Sequence, residues 1–282
     1  MRLLKGSPVA RAIIERNREA CEGLKKQGIT PALAVFRIGE DDADLSYERG
    51  IVKRAEECGV LLEKHVFPKD VTEEDFYKEL EEVNQDDRIH GILVFRPLPK
   101  TFQKDELRKR IAPEKDVDGC TDLSLSGVFT KKDTGFAPCT AEAVIETLDY
   151  YEIPIQGKNT VVLGRSLVIG KPVSMMLLNR DATVTICHTK TQDTAAIASK
   201  ADILVCATGE MEIVDHHYVN EHQTVIDVGI SWNEKKQKLC GDVLFEDVEG
   251  LVENITPVPG GIGSLTTAIL LSHVIKAAER TL

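Results

Sequence analysis

Short apolar runs alternate with longer amphipathic stretches along the first half of the chain. The short runs are bounded by glycine, proline or polar residues, which is typical of buried strands. Between them, apolar residues recur at the spacing of an amphipathic helix. Strands separated by helices predict parallel βαβ units. The predicted elements are a helix from Ser7 to Gly28, a strand at 32–38, a helix at 43–58, a strand at 61–67, a helix capped by Thr72, and a strand at 91–95.

The second half repeats this alternation with different residues at the ends of its strands. The boundary between the halves is predicted near 135–140. The pattern therefore predicts an α/β protein with two parallel-sheet domains. The predicted elements are helices at 140–151, 170–178 and 264–278, strands at 160–163, 183–187, 203–207 and 224–228, and an edge strand or hairpin at 236–243.

Composition narrows the class of protein. The chain has 282 residues, which agrees with two domains, and a formal net charge of −11, which disfavours binding to nucleic acid. No apolar run approaches the roughly 18 residues of a membrane span, and the first ten residues do not resemble a signal peptide. We therefore expect neither nucleic acid nor membrane among its partners.

The cysteines and histidines show no metal-binding pattern. The seven cysteines are an odd number without a CxxC pair, which favours a reducing cytoplasm over a disulfide framework. His216, His217 and His222 cluster, but they lack the one-turn spacing of a helical metal pair. We predict no metal site.

Residues 161–172 (VVLGRSLVIGKP) read as a strand, a turn and the start of a helix. Gly164 lets the main chain approach a pyrophosphate, and a helix N-terminus offers free N–H groups. This is a Rossmann arrangement, although the GxGxxG pattern is absent. The alternative is a tight turn that needs glycine for its backbone alone. A Walker A loop is excluded because Arg165 and Pro172 stand at two of its required positions.

The end of the next strand favours NADP over NAD. NAD-binding Rossmann domains usually place an acid there to bind the ribose, but here no acid occurs until Asp193. Arg165, Thr189 and Lys190 would instead attract a 2′-phosphate. We predict NADP as the cofactor, with NAD the less favoured alternative.

Six short strings together carry a resemblance that covers nearly the whole chain. Two of them, KDVDG and TPVPGG, are highly specific in combination. The strings are 115–119 (KDVDG), 138–140 (PCT), 164–166 (GRS), 226–230 (IDVGI), 241–243 (GDV) and 255–263 (ITPVPGGIG). In order and spacing they resemble the bifunctional methylenetetrahydrofolate dehydrogenase/cyclohydrolase family.

The resemblance implies an organisation and an activity. Residues 1–138 with 263–282 would form a folate-binding, catalytic domain, to which the C-terminal helix returns, and residues 139–262 an NADP-binding Rossmann domain. The two would be the walls of a cleft, in a homodimer joined through the Rossmann domains. Members of the family oxidise 5,10-methylene-tetrahydrofolate with a nicotinamide cofactor and then hydrolyse the methenyl product to 10-formyl-tetrahydrofolate.

The resemblance also implies site residues. Tyr47 and Asp118 would be catalytic. The implied substrate-binding residues are Tyr47, Asp118, Pro257, Pro259, Gly260 and Gly261, and the implied cofactor-binding residues are Gly164, Arg165, Ser166, Ile169, Thr189 and Ile230.

The sequence departs from the family at the folate site. The family has a Tyr-x-x-x-Lys pair, and here Tyr47 fits the tyrosine while Ile51 takes the lysine position. Phe95 takes the position of the family's glutamine, and Arg96 that of the following leucine. Asp44 stands where the family has serine.

Two cations lie near these positions. Lys53 is six residues from Tyr47, about 600° of helix rotation against about 400° for four, so it should point elsewhere. Arg96 is the obvious candidate to return a cation to the site. Strand alternation argues against it, because neighbouring residues face opposite ways, although Pro97 could break that rule.

The altered positions predict an altered activity. Hydride transfer needs positioning more than proton transfer, which Asp118 and the Pro257–Gly261 loop could supply. The family's lysine and glutamine are implicated in the water chemistry of the hydrolytic step, and general acid–base help is worth about 10²–10⁴ in rate. We therefore predict an NADP-dependent dehydrogenase whose cyclohydrolase activity is weak or absent.

Two other functions stay open at this point. One is NADP-dependent oxidation of another imine-like substrate, since the changes at Asp44, Ile51, Phe95 and Arg96 all alter the pocket. The other is a non-catalytic module that binds cofactor or folate and regulates a partner.

Overall fold

The structure is a computed structural model that describes residues 1–103 and 105–282. The chain forms two compact units. One, the six-stranded unit, comprises Met1–Ala10 and Thr140–Thr266, and the other, the three-stranded unit, comprises Arg11–Cys139 and Thr267–Leu282. Within the part of the chain that is described, no helix is both long and apolar enough to cross a membrane.

The described residues form parallel strands joined by helices. The strands are β1 (Arg2–Leu3), β2 (Ala32–Ile38), β3 (Leu61–Phe67), β4 (Gly91–Val94), β5 (Asn159–Leu163), β6 (Thr183–Cys187), β7 (Ile203–Cys206), β8 (Thr224–Asp227), β9 (Ser231–Asn233), β10 (Lys238–Cys240) and β11 (Asn254–Ile255). The helices are α1 (Gly6–Lys26), α2 (Asp42–Cys58), α3 (Glu73–Gln85), α4 (Leu107–Arg110), α5 (Asp122–Thr130), α6 (Cys139–Tyr150), α7 (Gly170–Leu178), α8 (Thr194–Ala198), α9 (Phe245–Val248) and α10 (Thr266–Glu279), with short 3-10 turns at Pro113–Lys115, His216–Tyr218 and Ile262–Ser264.

The sheet of the three-stranded unit has the order β3-β2-β4, and both pairings are parallel. The central strand β2 is buried over nearly its whole length, as its continuous apolar run predicts. Helix α2 is capped at its start by Asp41, whose carboxylate accepts the Ala43 N–H, and at its end by Gly59 in the left-handed conformation. These caps fix where α2 starts and stops, and so place the site residues that it carries.

Helix α10 returns to the three-stranded unit, as the sequence predicts. Asn17 on α1 donates to the carbonyl of Ala268 at 2.9 Å, and Ser272 donates to Asn17 Oδ1 at 2.8 Å. The buried face of α10 includes His273, Val274 and Ala277, which completes the core of that unit.

The sheet of the six-stranded unit has the order β1-β11-β8-β7-β5-β6, and its pairings are all parallel. Strand β5 is flanked by β6 on one side and β7 on the other. The chain thus leaves β5 toward one neighbour and later returns on its other side, so the strand order reverses at β5. In doubly wound sheets, ligands bind outside the carboxyl ends of the strands at such a reversal.

The fold class predicted from the sequence is confirmed: two α/β units with parallel sheets, the second of Rossmann type. The predicted edge strand or hairpin at 236–243 is part of an antiparallel hairpin of β9 and β10. The two-residue strands β1 and β11 were not predicted, because hydrophobic periodicity cannot be seen over two residues.

The structure differs from the predicted division at the amino terminus. The first ten residues lie in the six-stranded unit, whereas the sequence assigned residues 1–138 to the other domain. The physical reason is the pairing of β1 with β11, in which Arg2 lies opposite Asn254. The Leu4 N–H also donates to the carbonyl of Ile255 at 2.8 Å.

Candidate functional site

The turn after β5 brings two backbone segments into direct contact. Gly164 has φ of 120°, and a Cβ at this position would collide with the carbonyl of Ala207. A Cβ at Gly170, where α7 begins, would collide with the carbonyl of Gly164. Only glycine therefore fits at either position, which leaves the N-terminus of α7 next to the end of β5.

A cavity of about 300 Å³ lies at the carboxyl ends of β5, β6 and β7. It contains four of the six predicted cofactor-binding residues, Gly164, Arg165, Ser166 and Thr189. The other two do not line it. The N–H of Ile169 donates to Ser166 Oγ at 3.2 Å, and Ile230 follows β8 with 58% of its surface exposed.

The charged residues around this cavity are placed as the sequence predicts, with a cation present and no acid directly after β6. The residues directly after β6 are His188 and Thr189, and both line the cavity without a carboxylate. Arg165 lies on the same cavity. Glu210 is the carboxylate among the lining residues, and it follows β7 rather than β6. The position that binds the ribose of NAD in many Rossmann domains is therefore uncharged here.

Two buried aspartates build the loops beside this cavity. Asp227, at the end of β8, accepts backbone N–H groups from Gly229, Asp242 and Val243, each at 3.0 Å. Asp242 in turn accepts the N–H groups of Thr208 and Gly209, which follow β7. The IDVGI and GDV strings thus have a structural role, which is to hold the loops that follow β7 and β8.

The 257–261 loop belongs to the six-stranded unit and follows β11. The N–H of Gly6 donates to the carbonyl of Gly260 at 2.8 Å, and Ser264 Oγ donates to the carbonyl of Gly261 at 2.7 Å. A Cβ at Gly6 would collide with the Gly261 carbonyl. The start of α1 therefore supports the loop that carries the TPVPGG string, a role for Gly6 that the sequence did not predict.

In the three-stranded unit, α2 and the end of β4 bring the altered positions together. Tyr47 is 40% exposed, and its ring centroid lies 5.4 Å from that of Phe95. Ile51, one turn further along α2, is fully buried, and Phe95 is nearly so. Lys53 is exposed on α2, as its helix position predicts. An apolar side chain thus occupies both the lysine and the glutamine position of the family.

The KDVDG string divides its residues between structure and site. Lys115 is buried and donates to the carbonyls of Val83 and Asp86 at 3.1 and 2.7 Å. Asp116 is fully buried and accepts the N–H groups of Cys120 and Thr121 and the hydroxyl of Ser124. These two side chains fix the turn, and Asp118 is left partly exposed at its end.

Arg96 forms an ion pair with Asp118. The Arg96 Nη2 lies 2.5 Å from Asp118 Oδ2. The alternation argument against Arg96 was wrong, because β4 ends at Val94 and the residues beyond it no longer alternate. Burial raises the pKa of the Asp118 carboxyl, and the charge of Arg96 opposes that rise. The positive charge of Arg96 therefore lies beside Asp118, the predicted catalytic aspartate.

A buried cluster supports the backbone just before Asp118. The carbonyl of Val117 lies 2.7 Å from His273 Nδ1 and 3.4 Å from Cys139 Sγ. His273 Nδ1 lies 3.8 Å from that sulfur. This packing gives Cys139, in the PCT string, a structural role. His273 was missed, because one histidine on an apolar helix face gives no signal of its partner.

One other cluster brings metal-ligating groups together. Asp215, His216 and His217 have ligand atoms within 4.8 Å of one another. Both histidines are exposed, and His216 Nδ1 lies 2.7 Å from Asp247 Oδ2. The cluster contains two of the three histidines that the sequence pattern singled out.

Comparison with known proteins identifies both parts of the chain. Residues 4–118 match the family described as tetrahydrofolate dehydrogenase/cyclohydrolase, catalytic domain. Residues 138–282 match tetrahydrofolate dehydrogenase/cyclohydrolase, NAD(P)-binding domain. The chain is 44% identical over 278 residues to the bifunctional protein FolD of Alkaliphilus metalliredigens, covering 99% of this chain and 98% of that protein.

Solved structures agree over the full length. The bifunctional FolD dehydrogenase/cyclohydrolase of Campylobacter jejuni superposes with a TM-score of 0.96 at 37% identity and covers 100% of both chains. The FolD enzyme of Trypanosoma brucei, solved with NADP and an inhibitor, gives a TM-score of 0.91 at 33% identity, over 99% of this chain and 97% of that one.

Proposed function

We propose a specific activity within the family to which this chain belongs, the tetrahydrofolate dehydrogenase/cyclohydrolase family: oxidation of 5,10-methylene-tetrahydrofolate to the methenyl compound with NADP, and little hydrolysis of that product. One observation carries the proposal. The family's lysine and glutamine positions hold Ile51 and Phe95, both buried side chains without a proton to transfer.

The six-stranded unit is the proposed NADP-binding domain. Glycine at 164 and 170 lets a dinucleotide approach the start of α7 closely. Arg165 and Thr189 supply a positive charge and a hydroxyl where a 2′-phosphate needs them, and no carboxylate follows β6. A bound nicotinamide supplies the hydride acceptor. The resemblance adds Ile169 and Ile230 as proposed cofactor contacts.

The three-stranded unit is the proposed catalytic domain. Tyr47 offers an aromatic face and a hydroxyl to the substrate, and Asp118 offers a carboxylate that accepts hydrogen bonds. Pro257, Pro259, Gly260 and Gly261 are the proposed substrate contacts from the six-stranded unit. These groups orient the one-carbon bridge, which is what hydride transfer requires.

Arg96 does not replace the missing lysine in water chemistry. A guanidinium stays protonated in proteins, so it cannot take a proton from an attacking water and return it. The Arg96 guanidinium is also held by Asp118. The hydrolytic step therefore lacks its acid–base group, which corresponds to a loss of about 10²–10⁴ in rate.

A coupled assay tests the proposal. Purified protein is mixed with 5,10-methylene-tetrahydrofolate and either NADP⁺ or NAD⁺, and the absorbances of reduced nicotinamide and methenyl product are followed together. We expect both to accumulate in equal amounts, with the higher kcat/KM for NADP⁺. The Campylobacter jejuni enzyme, run in parallel, controls for hydrolysis. Consumption of the methenyl product as fast as it forms would refute the loss of cyclohydrolase.

We further propose a cytoplasmic homodimer joined through the six-stranded unit. All seven cysteines are free thiols, and six of them are buried, which fits a reducing compartment. The hairpin of the six-stranded unit exposes half of Trp232, which fits an interface.

A further inference from the structure

The ion pair of Arg96 and Asp118 presents unused hydrogen-bonding groups of both kinds. The pair joins one guanidinium nitrogen to one carboxylate oxygen. Among the residues that the structure describes, neither side chain makes another hydrogen bond. The side chains of Arg96 and Asp118 remain 40% and 24% exposed. Several N–H donors therefore lie next to a free carboxylate oxygen, and a ligand can reach both.

The substrate of the proposed function has a matching edge. The pterin ring of a tetrahydrofolate carries a 4-oxo group, a ring N–H and a 2-amino group in succession, which is one acceptor followed by donors. A carboxylate accepts only, and a guanidinium donates only. The hydrogen-bonding groups of the ring edge and of the ion pair are complementary, because the acceptor of the ring can face Arg96 while its donors face Asp118.

We propose that Arg96 and Asp118 together bind the 2-amino-4-oxo edge of the pterin ring, and that Arg96 strengthens the selection of a 4-oxo ring over a 4-amino ring. This inference rests on the proposed function. It assigns a role to a residue that stands where the family has leucine.

The selection follows from the donor pattern. In a 2,4-diaminopteridine an amino group replaces the 4-oxo group, so two donors would face each other at Arg96. A charged donor without an acceptor loses a strong hydrogen bond. Without Arg96, Asp118 still accepts from the 2-amino group of either ring, although N3 of the 4-amino ring carries no hydrogen to donate to it. The arginine therefore adds to the discrimination, because it faces the group that differs at C4.

A matched pair of ligands tests the inference. Tetrahydrofolate and tetrahydroaminopterin differ in the group at C4 and in the hydrogen that N3 carries as a result, and each is titrated as an inhibitor of NADP⁺ reduction. We expect the wild type to bind the 4-oxo ligand about tenfold or more tightly than the 4-amino ligand. R96L should reduce that ratio by about threefold or more, with the remaining preference due to Asp118 at N3. R96K, which keeps a donor but not the planar fork, should give an intermediate ratio.

An exposed ion pair in the same unit supplies the control. Arg88 Nη2 lies 2.6 Å from Asp86 Oδ2 and is largely exposed. R88L removes an equivalent pair and should leave the ratio unchanged. If R96L weakens both ligands equally, Arg96 has only a structural role and the inference fails.

The pH dependence gives a second readout, which reports whether Arg96 acts on Asp118 in the working enzyme. Burial raises the pKa of Asp118 and the charge of Arg96 opposes it. In R96L the acid limb of kcat/KM should therefore move to higher pH, whereas in R88L it should stay. An unmoved limb in R96L contradicts the inference. A wild-type protein that oxidises no methylene-tetrahydrofolate refutes the proposed function itself, which is a distinguishable result.

Discussion

At the scale of single residues, the proposed activity depends on the side chains that differ from the family. Ile51 and Phe95 were identified from the sequence because their neighbours align without gaps, and the structure adds that both are buried. The ion pair of Arg96 was not predictable in the same way. It depends on the position at which β4 ends, and strand ends are the least certain part of a pattern.

Restoring the polar pair should restore hydrolysis. The double variant I51K/F95Q returns an amine and an amide to the Tyr47 surface. We expect the rate of methenyl-tetrahydrofolate hydrolysis to rise by at least about tenfold, since acid–base help is worth about 10²–10⁴. The measurement is the decay of methenyl absorbance without nicotinamide.

V52K is the control for this pair. It adds a lysine to the same helix about 100° away from position 51, so it should not accelerate hydrolysis. Equal gains in V52K and I51K/F95Q would show that added charge, rather than its position, is responsible.

At the scale of elements, caps and glycines account for what the sequence could and could not predict. Helix α2 was predicted within one residue, because an amphipathic run ends at Gly59. The support of the 257–261 loop by Gly6 was not predicted. It joins residues more than 250 positions apart, and the short strand that creates it has no visible pattern.

Two glycines of α1 should respond in opposite ways to alanine. G6A places a methyl group against the Gly261 carbonyl, which is backbone and cannot rotate away. We expect a loss of about 1–3 kcal/mol in the free energy of unfolding, measured by urea denaturation. The same shift of the loop should raise the KM for the folate substrate.

G23A is the matched control in the same helix. Nothing lies within 4 Å of the position that its methyl group would occupy. Alanine should therefore stabilise the protein by about 0.5–1 kcal/mol. Destabilisation of both variants to the same degree would contradict the role assigned to Gly6.

At the scale of the whole molecule, family and fold class followed from the sequence, because the strings that carry them are spread over both units. The division of the chain into two domains was predicted less accurately from the sequence. Each half builds its own sheet, but the first residues add a strand to the sheet of the second half. Pattern along a chain does not reveal pairing between distant strands.

The stability of the whole chain should depend on pH through Asp227. Burial raises the pKa of Asp227 to about 7, against the opposing effect of backbone donors. A carboxyl group whose pKa is raised on folding stabilises the native state when protonated. That contribution is complete below the unfolded value of 3.8 and is lost as pH rises through about 7.

Urea unfolding of the wild type and D227N across this range measures the contribution. Relative to D227N, the free energy of unfolding of the wild type should fall with rising pH by at most about 1.4 kcal/mol per pH unit. D149N, at an exposed ion pair with Arg180, should run parallel to the wild type. A constant difference between wild type and D227N would exclude a raised pKa.

The pairing of β1 with β11 also affects how the protein is made. Translation delivers the first strand of the six-stranded sheet long before the partner that it needs, since Arg2 pairs with Asn254. The strand β1 at the amino terminus of the nascent chain therefore stays unpaired until the ribosome has synthesised most of the remaining residues. A bulky fusion partner attached at that terminus should therefore hinder maturation of the nucleotide-binding half, although that half is encoded almost entirely downstream.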